Sequence, residues 1–421
     1  MAGHVKDRQS NVIAFPRSKK ERRKILRESE DKRVRLCVKL RTAVGWLLAV
    51  GAFLFLLANY RLLTPASIRS LTSYAIAGLR QHEGDITSIV YENGSLADGT
   101  LFGSGLAYVD GDTLYLAKPG GLTTMKKTLA YASPVVESGG EYVLAYDRGG
   151  HGATLSNSVA PVAELTLTSP IITGSITEDG YCTLVTDEQG YRTAVYVYNN
   201  RGAEVFKWQT SEYYILSAAL SPDGKTLAAL AFQQNSVSLD SKVLFFSVGK
   251  GEKEAEATLF GTLGLEVAYL SNGAAAALCD DGLYTVSRKG QAEKVISYSS
   301  NDLLAFSLSN DALALATRSY SGSSRSDIYL MRASGKVEGP YPVAEEPSAL
   351  AVSRAGVAAL SASGVSVYDT SFQPQWRNPE AVGARRVLLT DDGSVFALYA
   401  KQSRIFTAHS TRSEEIPNDT E

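Results

Sequence analysis

Leu220-Ser221-Pro222-Asp223-Gly224-Lys225-Thr226-Leu227-Ala228 joins an apolar residue to a second apolar run through a short polar turn. Asp and Gly tolerate the dihedrals of a tight connection, so the segment reads as a β-hairpin. The same unit can be laid over the chain eight times, beginning at Val109, Val136, Ile176, Leu220, Leu270, Leu308, Val352 and Leu389. These starts lie 27 to 50 residues apart and average 40. Several copies run on into a third apolar strand, as in Val195-Tyr196-Val197-Tyr198 and Val243-Leu244-Phe245-Phe246, and again at Leu283, Ile328, Val365 and Ile405.

A period near forty with only strand-like patterning predicts an all-β, eight-bladed β-propeller. One such sheet exposes apolar faces that it cannot bury alone, whereas radial packing buries them between neighbours and leaves short edges. Seven blades is the alternative, because the first unit, around 105 to 132, is short. Small residues such as Ala228, Ala229, Ala275 and Ala358 suit inner strands crowded around the axis. The last unit runs out after about Ala408, and Asp85-Ile86-Thr87-Ser88-Ile89-Val90-Tyr91 can supply its missing outer strand, joining the two ends of the ring. The propeller is expected over 82–409, followed by a polar disordered tail over 410–421.

Upstream, the 421-residue chain changes character. Its net charge of −2 conceals 14 Lys/Arg against 5 Asp/Glu in residues 1–41, leaving 28 against 39 for the remainder. Residues 42–60 carry no charge, a run that as a helix spans about 28 Å, the thickness of a hydrocarbon core. A transmembrane helix is therefore expected over 42–61, with Trp46 and Tyr60 toward its ends. The positive-inside rule puts residues 1–41 in the cytoplasm as a basic arm and the propeller outside the cell membrane, a single-pass arrangement. Pro65, Ile68, Leu71, Ala75, Ile76 and Leu79 predict a juxtamembrane helix or linker over 62–81.

Motifs for chemistry are scarce. The chain lacks HExxH, GxSxG, a Walker loop and an EF-hand loop. Cys37, Cys182 and Cys279 have no ligand spacing, and His4, His82, His151 and His409 have no second ligand nearby in sequence. The Asp-Gly steps at Asp179, Asp223, Asp281 and Asp392 read as turns, and Trp208 and Trp376 as packing residues. No catalytic residue, metal site or cofactor is assigned. The candidate binding residues lie in two long polar connections between second and third strands: Gln233 and Asn235 in 233–240, Tyr320 and Arg325 in 319–326. Such connections emerge on one face of a propeller; Tyr and Arg are enriched at hot spots, and Gln and Asn can hydrogen-bond a glycan or peptide.

The order of anchor, Leu63-Thr64-Pro65 and a Leu220-Ser221-Pro222-Asp223-Gly224 blade followed by a long connection into Ser241-Lys242-Val243-Leu244-Phe245-Phe246 resembles a membrane-propeller family of Firmicutes, domain of unknown function 5711, over about residues 40 to 408. The blades are also similar to TolB-like and WD40-like repeats, and Asn199-Asn200-Arg201-Gly202 with Trp208 to quinoprotein-like ones. The family resemblance implies a Gram-positive cell-envelope protein facing the wall and brings no catalytic residues. The function expected is a non-enzymatic binding or scaffold module for an envelope protein or wall glycan. The alternatives are a hydrolase or lyase acting on envelope polysaccharide through channel carboxylates, and a ligand sensor signalling to the basic arm. Net negative charge beyond residue 41 disfavours nucleic acid as a partner. Nothing in the pattern sets the oligomeric state.

Overall fold

The computed structural model describes residues 33, 36, 39, 40, 43–51, 88–119, 121–234, 239–308, 312–320, 322, 323 and 325–410. The chain divides into two compact units, 1–65 and 66–421. In the first, residues 43–51 are helical, with Trp46 and Leu47 exposed. No helix among the described residues is long and apolar enough to cross a membrane. The expected span over 42–61 runs past residue 51 and so lies largely outside the described residues, as do the 62–81 segment and most of the tail.

The second unit contains eight four-stranded antiparallel sheets. Seven are continuous in sequence: blade I over 96–128, II over 134–166, III over 171–210, IV over 214–259, V over 264–297, VI over 303–343 and VII over 349–378. Blade VIII combines three strands of 386–406 with Ser88–Val90, which pairs antiparallel with Gln402–Phe406 in the register Ile89 to Ser403. The expected closure by the segment before the first blade is thus present. Strands are lettered A to D within each blade. Successive A strands touch one another, as in blades I and II, III and IV, and IV and V, so A lies at the axis and D outside.

Blade I is complete, which removes the seven-blade alternative. The short first spacing has a simple cause. The unit at Val109 is the hairpin between strands B and C of its blade, Gly105–Asp110 and Thr113–Ala117, whereas the seven other units are hairpins between A and B. The A-to-B turn of blade I is Gly103-Ser104, where Gly103 takes a positive φ of 57°. Ala228, Ala229, Ala275 and Ala358 sit one strand farther out than the axis, in B strands, and are fully buried between blades. Each inter-blade seam is an apolar cluster; Ala228, Leu230, Val243 and Phe245 of blade IV meet Val267, Ala277 and Tyr284 of blade V. Burying a side chain such as Phe245 contributes about 2–3 kcal/mol relative to leaving it in water.

Candidate functional site

The strand order gives the ring two distinct faces. A strands begin and B strands end on what we term the upper face, so the D-to-A and B-to-C connections emerge there. Both polar connections singled out in the sequence are of the B-to-C kind, in blades IV and VI. They share the upper face but stand two blades apart, so the ring does not join them into one pocket. Gln233 is half-buried, and its Nε2 donates to Glu212 Oε1 at 3.2 Å; Asn235 lies outside the described residues. Tyr320 is 68% exposed. Arg325 is also exposed, with its backbone N–H donating to Ser323 Oγ at 2.9 Å.

A second group of residues lines the axis. In blades I, III, IV, V and VI the A strand carries a register shift near its upper end, between Leu96 and Asp98, Ile171 and Thr173, Ile215 and Ser217, Gly264 and Glu266, and Leu303 and Ala305. A bulge re-aims the side chain that follows it. Here those side chains include the carboxylates Asp98 and Glu266. Asp98 holds three blades together: Oδ1 accepts from Arg386 Nη1 of blade VIII at 2.8 Å, and Oδ2 accepts from the Val136 N–H of blade II at 2.9 Å. Glu137, farther along the A strand of blade II, is the most perturbed of the group. Burial pushes its carboxyl up to about 7; the Arg386 charge opposes the shift, while Asp98 and Glu266 reinforce it. Burial likewise raises Glu266, again against Arg386. All four side chains belong to A strands, which line the axis, and the Arg386 charge acts on both Glu137 and Glu266.

Glu137 therefore carries a signature in stability. Its folded value lies above its unfolded value, so the stability it supplies is full below about pH 4.5 and is lost as pH rises through about 7. Glu137→Gln removes that dependence. Discounted for water in the axial space, the variant is expected to be about 1–2 kcal/mol more stable than the parent at pH 8 and to show a flatter profile. Urea midpoints at pH 5 and pH 8 test this; parallel profiles for the two proteins would refute the assignment.

A third arrangement repeats in alternate blades. Tyr115 pairs across strands C and D with Lys126, Tyr196 with Lys207, and Tyr284 with Lys294. Each ammonium lies over its tyrosine ring, at 4.9, 4.6 and 5.1 Å from the centroid, and each bonds a carboxylate at 2.5, 3.1 and 2.5 Å: Glu92, Glu188 and Asp281. The tyrosine hydroxyl donates to the same carboxylate, at 3.0, 3.1 and 3.2 Å. Asp281 is thus more than the turn residue its Asp-Gly context suggested, whereas Gly180, Gly224 and Gly393 after Asp179, Asp223 and Asp392 do occupy positive φ in A-to-B turns. Trp376 is buried and Trp208 packs on Phe246 at 4.6 Å, both within inter-blade cores. No group of three or more His, Cys, Asp or Glu among the described residues is placed to hold a metal ion.

Neither the axial carboxylates nor the triads stood out in the sequence. The axial residues are single charges in strands 39 to 288 positions apart, counted from Asp98 to Glu137 and from Asp98 to Arg386. The triads did leave a trace, a tyrosine in strand C followed 10 or 11 positions later by a lysine in strand D.

A family described as "Family of unknown function (DUF5711)" matches residues 85–377. No curated protein matches the chain. Among solved structures, the C-terminal WD40 domain of Sif2 aligns over 79% of this chain and 98% of that one, at 12% identity and a TM-score of 0.53. Hydrazine synthase from Kuenenia stuttgartiensis covers 78% and 99%, at 14% identity and a TM-score of 0.46. Sqt1 from Chaetomium thermophilum, bound to the N-terminus of the ribosomal protein L10, covers 77% and 100%, at 12% identity and a TM-score of 0.49. At these identities the likeness is one of fold.

Proposed function

Since the chain belongs to DUF5711, a family of unknown function, we propose from its architecture that it is a membrane-tethered binding or scaffold propeller that engages an envelope protein or wall glycan through its upper face. What supports this reading is the make-up of that face. Tyr191, Tyr214, Leu239 and Phe260 stand exposed on it around the extended B-to-C hairpin of blade IV, with Tyr320 and Val382 exposed farther round the ring. Exposed large apolar side chains gathered on one face of a folded domain mark interaction surfaces. The tether rests on the uncharged run 42–60 and the 14 basic residues that precede it, and places the propeller outside the cell membrane.

The test uses the full chain in detergent micelles as bait for envelope proteins and wall fragments. Tyr320→Ala with Arg325→Ala is expected to lower capture about tenfold without altering the circular dichroism spectrum, as loss of two hot-spot side chains does. Capture unchanged by the double substitution rejects that loop as the site, and no capture by the parent chain rejects the binding reading. A second reading, catalysis on envelope polysaccharide, draws on Glu137, whose carboxyl at about 7 is poised to give and take a proton at neutral pH. It requires that the parent chain release new reducing or unsaturated ends from wall polysaccharide and that Glu137→Gln not do so; no release by the parent removes it.

A further inference from the structure

We propose that the upper-face arc across blades III to V is a docking surface for a protein segment that presents an apolar anchor flanked by Lys or Arg. The inference rests on the binding reading above and names its partner class. At the centre of the arc is Phe260, 79% exposed in the connection between blades IV and V. A large apolar side chain on a floppy loop would be unremarkable, but this loop is pinned. The Gly261 N–H donates to Asp240 Oδ1 at 2.9 Å, and Thr262 Oγ1 donates to Asp280 at 2.7 Å and Asp281 at 2.6 Å. The Leu263 N–H is held by Asp280 Oδ1 at 2.9 Å, and the Thr262 carbonyl by Ser241 Oγ at 2.8 Å. The ring is therefore presented to water by a backbone that cannot withdraw it, which is the preorganised form of an interface anchor.

Beside it rises the hairpin of blade IV, whose B and C strands, Thr226–Gln234 and Leu239–Ser247, outrun the six or so residues of their counterparts in blade III. Leu239 stands at its upper end, 45% exposed. Tyr214 flanks the hairpin with Phe232 stacked on it at 4.9 Å and the Arg192 guanidinium over the same ring at 4.8 Å. Its ring thus has little free π surface of its own, and the choice of a peptide partner rests on the charge around the arc. The charge around the apolar residues is acidic: Asp187 and Glu212 are exposed. Arg192 is engaged with Tyr214 and donates to the Glu212 carbonyl at 3.1 Å. A basic flank on the partner meets that charge, and an apolar side chain covers Phe260 and Leu239.

A random peptide display library selected on the full chain in detergent micelles supplies the probe. The expected result is enrichment of peptides that combine an apolar or aromatic residue with Lys or Arg. Their binding should fall about tenfold or more with Phe260→Ser plus Leu239→Ser and weaken with Asp187→Lys, yet survive Val205→Ser, an exposed position on the opposite face. Peptides that bind the Phe260→Ser, Leu239→Ser variant as well as the parent, or enriched sequences without basic residues, overturn the proposal. So does a library that yields nothing. If the parent then still captures wall glycan, the binding reading stands and this inference alone falls; if it captures nothing, both fall.

Discussion

Ile89→Asp is expected to destabilise the propeller by about 4 kcal/mol or more, whereas Val90→Asp, one residue along, should change stability by about 0.5 kcal/mol or less. Both residues lie in Ser88–Val90, the strand that closes blade VIII. Ile89 is 4% exposed and packs with Tyr91, Tyr108, Phe396 and Leu398, while Val90 is 69% exposed. The aspartate at 89 forfeits the buried isoleucine and also places a carboxylate in an apolar seam, two costs that add. What fails is more than one strand. The residues just beyond it bind blade I: Asn93 and Ser95 donate their N–H groups to the buried Asp110 at 2.5 and 2.9 Å, and Glu92 takes Lys126 and Tyr115. The Tyr91 N–H meanwhile donates to the Lys401 carbonyl of blade VIII at 3.1 Å. Residues 88–95 are therefore the clasp between first and last blades. Urea unfolding of the two variants measures the difference; equal losses at 89 and 90 would show that closure does not depend on the buried face of this strand.

That clasp was readable in the sequence because a ring of repeats must end somewhere, and Asp85 to Tyr91 was strand-like chain left over before the first unit. The blade count was readable for the same reason: an apolar-turn-apolar hairpin recurs because every blade needs one. Its frame was less secure. Val109-Asp110-Gly111-Asp112-Thr113 has the same turn chemistry as an A-to-B hairpin but joins B to C, since local turn geometry does not encode how far a strand lies from the axis. The candidate sites show the opposite balance. Tyr320 and Arg325 could be singled out because a long polar connection is a contiguous feature; both positions are exposed. Asp98, Glu137, Glu266 and Arg386 could not, because each is one charge in its own strand and only closure of the ring sets the neighbouring blades VIII, I and II, with blade V, around one axis. Phe260 was hidden by its type, since an isolated phenylalanine in an apolar-polar alternation reads as core. The structure exposes it because it falls at the connection between blades rather than within a strand.

Glu188→Ala should cost about 3 kcal/mol, and far more than the equivalent change at Glu92, although both carboxylates hold the same lysine-tyrosine pair. The difference is burial. Glu188 is 6% exposed and accepts from Thr186 at 3.0 Å, Tyr196 at 3.1 Å, Lys207 at 3.1 Å and Gln209 at 2.9 Å, so its removal strands four donors, one of them charged. Glu92 is mostly exposed, and water replaces its partners at little cost. Burial by itself works against the Glu188 charge, but the bonds from Lys207, Thr186 and Tyr196 outweigh it and hold the carboxyl below the usual range. Its folded value therefore lies under its unfolded one, and the stability it supplies is present above about pH 4.3 and is lost as pH falls through the depressed value. Glu137 slopes the other way and in a higher window, between about pH 4.5 and 7, so Glu188→Ala should leave the fall in stability from pH 5 to pH 8 nearly unchanged and remove only the loss below about pH 4.3. Lys207→Met also strands a charge, that of Glu188 itself, and is expected to be comparably harmful. Joined as Glu188→Leu with Lys207→Met, the pair leaves no buried charge and should recover at least half of the single-variant losses. Chemical denaturation of Glu188→Leu, Lys207→Met and the double variant at pH 7 closes that cycle; strictly additive losses would mean that the two side chains act independently and that the triad is not a unit.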